Sequence, residues 1–163
     1  MEKATSLPQK DVSPGDAAVS GLFGGLGAGF LMAVFLALVG LLSGRGLGTY
    51  LGYFAFGEPA APLQGLLAHL AVSGVYGLLF GLGWRWMRGK RLRHVPGWMG
   101  GLVYGILLWV LALAVILPGT DSPLRLIPPG LLAAAHGIFG LALGFMVGGK
   151  QGKKAEPFQN WDE

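Results

Sequence analysis

Three shortages bound what this chain can be. It has no cysteine, which excludes disulfides, thiolate metal sites and covalently attached c-type haem. It has little charge: Asp, Glu, Lys and Arg make up 12% of its 163 residues, against about a quarter of a soluble domain. That charge is also missing altogether from Ala17 to Gly44, from Pro59 to Trp84, from Val95 to Thr120 and from Leu126 to Gly149. Each stretch exceeds the roughly 18–20 residues that cross a bilayer core of about 30 Å. A soluble bundle would have to bury all four within one short chain. The expected fold is therefore an all-α integral membrane protein, a bundle of four transmembrane helices in contact with the lipid bilayer.

The uncharged stretches also exclude chemistry. A zinc or iron site built on two histidines needs a carboxylate or a third histidine, and no span supplies one. Proton-coupled transport usually relies on a buried acid, again absent from the spans. Ser73 lies one turn after His69, but no acid accompanies them to orient a base. The segment GLFGGLGAG has glycine spacings reminiscent of a dinucleotide loop, yet it follows no strand and sits inside a span. The expectation is a protein that is not an enzyme.

What is present gives spans, boundaries and orientation. Residues 1–12 read as a flexible cytoplasmic tail and 150–163 as a second one, with the transmembrane domain over 13–149. Ser13-Pro14-Gly15-Asp16 has the form of a helix start: an N-cap, a proline in the first turn and an acid three residues after the cap. The spans are expected at about 14–43, 60–86, 96–117 and 128–149, with breaks at Pro59 or Pro62, Pro96, Pro118-Gly119 and Pro128-Pro129. The first apolar run is too long for the core of a signal peptide, so it is read as a retained span.

The twelve basic residues are distributed unevenly. Lys3 and Lys10, then Arg85, Arg88, Lys90, Arg91 and Arg93, then Lys150, Lys153 and Lys154 fall on one side, and only Arg45 and Arg125 on the other. The positive-inside bias of short loops puts the richer side in the cytoplasm. Both termini are thus expected to be cytoplasmic, in a plasma (inner) membrane. This topology signal and contact with anionic lipid account for the positive charge, and no nucleic-acid partner is expected.

A repeat underlies the spans. A shift of 67 residues lays His69, Ser73, Gly77 and Gly81 on His136, Gly140, Gly144 and Gly148. A shift of 76 lays Gly21, Gly25 and Gly29 on Gly97, Gly101 and Gly105. The chain reads as two tandem two-helix units. Small residues at every fourth position let helix backbones approach closely, which drives association where burying apolar surface gains little. The twelve of those positions that are not histidine are the expected helix-packing residues.

His69 and His136 are the ionisable groups placed within the hydrocarbon region, with His94 in the basic loop. Each lies about eight to ten residues from the non-cytoplasmic end, or roughly 12–15 Å at 1.5 Å per residue, so both should sit at one level. Two readings compete: neutral histidines hydrogen-bonded across helix interfaces to Ser73, Tyr76, Tyr104, Trp109 or a carbonyl, and axial ligands of a b-type haem. The loop RGLGTYLGYFAFGEPAAP places Tyr50, Tyr53, Phe54 and Phe56 where an aromatic belt or a docking surface would lie. The C-terminal EPFQNWDE offers Phe158 and Trp161 as a grip on a neighbour.

The function expected from these features is that of an accessory or structural subunit of a larger membrane complex, with a membrane-protein partner or further copies of the chain. A bis-histidine haem protein of membrane electron transfer and a small oligomeric channel or carrier are the alternatives. Reporter fusions after Gly57, Arg91, Ser122 and Glu163 should read outside, inside, outside, inside. A fusion at Arg91 that reads outside defeats the assignment.

Overall fold

The computed structural model describes residues 12–55, 61–90 and 94–149. The expectations for the two tails, for Phe56, and for Arg91 and Arg93 of the basic loop lie outside the described residues, except at Val12. Among the described residues the protein is all-helical, and four helices are long and apolar enough to cross a membrane.

Helix α1 spans Pro14–Leu42. Its first turn closes as the sequence pattern predicts. The Asp16 N–H donates to Ser13 Oγ (3.0 Å), and the Ser13 N–H donates to Asp16 Oδ2 (3.2 Å). Two donors that a helix start would otherwise leave unpaired are thereby satisfied. After Ser43 the chain reverses through Gly44 (φ +69°) and Gly46 (φ +91°), values that glycine adopts without steric cost. A short helix α2, Thr49–Gly52, follows.

Helix α3 spans Pro62–Lys90. It runs a turn beyond the expected end near Trp86: Arg85, Met87 and Arg88 are good helix formers, and no proline intervenes before Lys90, although Gly89 is a poor one. Helix α4 spans Gly97–Leu111 and leads into a π-helical turn over Ala112–Ile116. That turn ends where the Leu117 N–H donates to the Ala112 carbonyl (2.8 Å). A 3₁₀ turn, Pro123–Leu126, precedes α5 at Pro129–Gly148.

The four long helices are arranged as two pairs. α1 packs along α3 and α4 along α5, and α1 meets α5 to join the pairs. At the pair interfaces the backbones touch. A Cβ at Gly25 would stand 2.7 Å from Gly77 Cα and closer still to the Ser73 carbonyl. A Cβ at Gly101 would stand 2.6 Å from Gly144 Cα and closer still to the Gly140 carbonyl. No side chain fits at these crossings.

α3 touches α4 and α5 sparingly, and two contacts with α4 stand out. Gly100 lies against the ring of Trp84, where a Cβ would come within 2.6 Å of Cη2, and Tyr104 donates its hydroxyl to the Tyr76 carbonyl (2.9 Å). Trp84 is fully buried and stacks on Phe80, with ring centres 5.7 Å apart. Arg85 Nε donates to the Val12 carbonyl (2.6 Å) and Arg88 Nη1 reaches the Gly148 carbonyl (3.4 Å), so the start of α1, the end of α5 and the end of α3 share one end of the bundle. Beyond Tyr104, toward the opposite end, the two pairs part.

A methyl group is a direct probe of these crossings. In an open helical site Gly→Ala stabilises by about 0.5–1 kcal/mol, whereas forcing atoms into a filled interface costs roughly 1–3 kcal/mol. Gly137, where a Cβ meets nothing within 4 Å, should tolerate Ala or gain from it, while Gly25→Ala and Gly101→Ala should each lower the unfolding midpoint in detergent. Equal tolerance at all three positions would contradict the backbone contact.

Candidate functional site

Where the pairs part, at the end away from Val12 and Gly148, they enclose a cleft of about 560 Å³. This lies within the roughly 300–1,000 Å³ of small-molecule sites. One wall is α3, from Ala68 to Tyr76. Facing it are Leu132, His136 and Phe139 of α5, Ala112 and Ile116 of the π-helical turn, and the loop from Leu117 to Leu124. Met32 of α1 and the segment Tyr53–Ala55 after α2 complete the lining.

Both histidines line this one cleft. His69 is buried, and its Nε2 lies 3.0 Å from the Gly29 carbonyl of α1, across the glycine-lined crossing. His136 Nδ1 lies 2.9 Å from the Leu132 carbonyl, one turn back on its own helix. A carbonyl oxygen only accepts, so each of these ring nitrogens carries its hydrogen and donates. In the neutral ring the other nitrogen, Nδ1 of His69 and Nε2 of His136, is left as a bare acceptor. Axial ligation of haem by His69 through Nε2 would first have to give up the Gly29 bond.

Ser73, one turn along from His69, is 4% exposed and lines the cleft. Its hydroxyl makes no hydrogen bond among the described residues. The other packing positions named from the sequence lie at the crossings. Gly21 and Gly29 meet Gly77, Gly81 and Ser73 on α3, and Gly97 and Gly105 meet Gly140, Gly144, Gly148 and the His136 carbonyl on α5. His94 is exposed at the other end of the bundle.

The aromatic loop differs from its expected place on the outer rim. Tyr50 is 3% exposed, and Tyr53 and Phe54 turn into the cleft. Phe54 packs on the His69 ring, with centres 4.8 Å apart. The cause is the reversal at Gly44 and Gly46, which lays α2 on α3 so closely that a Cβ at Gly65 would strike the Leu51 carbonyl. Sequence reasoning missed Phe139, the π-helical turn and the polar loop Thr120–Ser122. The available signal was the reversal glycines in a loop too long for a plain hairpin.

Arg125 holds the loop over the cleft. Its Nε and Nη2 donate to the Leu117 carbonyl (2.9 and 2.7 Å), and Nη2 lies 3.2 Å from the Pro118 carbonyl. A cation on the last carbonyls of a helix also complements the helix dipole. Asp121, 3.7 Å from Arg125, lies at the cleft rim.

No family model, curated protein or solved structure matches the chain. The site is therefore read from its own chemistry: an apolar cleft with bare acceptors and a free hydroxyl, and no cluster of three metal-ligating groups among the described residues. Replacing Arg125 by Met should remove the charge-assisted bonds to Leu117 and Pro118 and lower the local opening free energy by about 1–2 kcal/mol. Hydrogen exchange should rise across residues 117–126 and stay unchanged in the middle of α1. Unchanged exchange in the loop would show that Arg125 does not hold it.

Proposed function

We propose that the protein is a non-catalytic, multi-pass protein of the plasma membrane, with both termini cytoplasmic, that binds a small, mainly apolar molecule between its two helix pairs. The observation that carries this reading is the cleft itself. It gathers the buried His69 and Ser73 and the half-buried His136 into one apolar space. Val72 and Ile116, at its lining, are 50% and 39% exposed, so the cleft borders apolar surface there, apart from Asp121 on the loop at its rim. A binding role of this kind serves a carrier, a sensor or a lipid-handling subunit equally.

Two further parts of the reading support that role. The uneven distribution of basic residues favours the stated orientation. The duplicated two-helix unit draws support from matched crossings: Gly25 on Ser73 and Gly77 in one pair corresponds to Gly101 on Gly140 and Gly144 in the other. Duplication would give two glycine-packed pairs, each contributing one histidine to the space between them.

A second reading, an accessory subunit of a larger membrane complex, is favoured by α4. Only 17% of its span is buried within the bundle, against 39% for each of the other three. Val103, Ile106 and Leu107 form much of the remaining face, which either lipid or a partner helix would cover.

Protein purified in mild detergent should carry a stoichiometric organic molecule, released by solvent and identified by mass spectrometry. Val72→Trp, which fills the cleft from its rim, should abolish retention. Val103→Trp, on the exposed face of α4, should not. A protein that carries nothing, or one in which Val72→Trp retains as much as wild type, removes the binding function.

A further inference from the structure

We infer that the cleft selects a quinol: a flat aromatic head bearing two hydroxyl hydrogens, on an apolar tail. The inference rests on the reading of the cleft as a ligand site and adds which ligand the site prefers.

Hydrogen-bond polarity comes first. His69 and His136 each spend their ring N–H on a backbone carbonyl, so what they offer a ligand is a lone pair. Asp121 at the rim also accepts. Ser73, Tyr53 and Tyr76 at the lining carry hydroxyls that accept or donate, so the preference for a donor rests on the two imidazoles. A ligand with only acceptor oxygens, whether a carboxylate, a phosphate or an ether, would set lone pair against lone pair at both imidazoles. A pure hydrocarbon would cover both acceptors and leave them unsatisfied, which is costly in a low-dielectric site. A molecule with two O–H donors satisfies both. The two imidazoles belong to different walls, α3 and α5, so hydroxyls on opposite edges of one ring suit them better than a single hydroxyl at a chain end.

Ring chemistry comes second. Tyr53, Phe54, Tyr76 and Phe139 line the cleft together with the two imidazoles. Six rings around one space favour a flat aromatic guest, packed offset or edge-to-face. An aliphatic alcohol would use the hydrogen bonds but not the rings. The apolar rim at Val72 and Ile116 then lets a hydrocarbon tail leave toward lipid. The ligand keeps its hydroxyl hydrogens and no electrons move in this binding step.

The test is anaerobic calorimetry on the full-length protein in detergent, with a short-chain alkyl benzoquinol, its quinone and its dimethyl ether as probes. The quinol should bind about tenfold more tightly than either of the others, the scale of one ordinary hydrogen bond. His136→Leu should reduce that preference several-fold, and His136→Gln, which restores an acceptor, should recover part of it. Equal binding of all three probes overturns the quinol inference and leaves the cleft as a ligand site. Failure of the quinol to bind at all overturns it too, while solvent-extractable ligand lost in Val72→Trp would keep the cleft reading intact. A His136→Leu protein that is folded by its unfolding midpoint yet retains the tenfold preference also overturns it.

Discussion

Backbone contact between helices is the constraint on which the rest of this structure depends. At Gly25 and Gly77, and again at Gly101 and Gly144, two helices pass so close that a single carbon atom would not fit between them. In a bilayer this matters more than it would in water. Apolar side chains gain little by leaving lipid for protein, so dispersion contacts between closely approaching backbones supply the attraction. It also brings the Gly29 carbonyl within reach of His69 Nε2. The histidine that looks from the sequence like a polar intrusion thereby has a place to put its hydrogen.

The same constraint shapes the empty space. Glycines spent on the α1–α3 and α4–α5 crossings make two tight pairs. The contact that joins them, between α1 and α5, is of a different kind: Gly24 meets Val147 and Leu143, and Gly27 meets Met146 Sδ at 3.1 Å from a notional Cβ. Side chains, not backbones, set that spacing. α3 is left to meet the second pair through Arg88, Trp84, Phe80 and the Tyr104–Tyr76 bond, and past Tyr76 toward the cleft no such contact draws it in. The cleft is thus a consequence of where the small residues are and where they are not.

How much of this was legible follows from which interactions are local in sequence. The spans follow from charge-free length, and the start of α1 follows from four consecutive residues whose capping chemistry is self-contained. The glycine positions can be read because close approach permits no other residue type. The inward turn of Tyr50, Tyr53 and Phe54 is not legible in that way. Aromatic residues suit an interface or an interior equally, and the choice is made by two positive-φ glycines and by Gly65, distant in sequence, admitting the Leu51 carbonyl. The π-helical turn over Ala112–Ile116 has no breaker of its own, only Pro118-Gly119 beyond it. The common level of the two histidines could be counted from the span ends. That they share one cleft depends on the separation of α3 from α5, which no single segment encodes.

The two kinds of contact also imply different stiffness. Backbone-to-backbone crossings have no rotamers to rearrange, so each pair should move as a unit. The α1–α5 contact includes Met146, an unbranched and adaptable side chain, and the loop over the cleft is held by Arg125, whose side chain is about half exposed. Motion that widens the cleft would therefore pass through the joint between pairs and the Arg125-held loop, not through the glycine crossings. The donors of His69 and His136 would be carried unchanged through such motion, because the Gly29 carbonyl belongs to the same pair as His69 and the Leu132 carbonyl to the same helix as His136. Each imidazole would keep its place on its own helix in either width, so the cleft could open without disturbing the hydrogen-bond polarity proposed to select its guest.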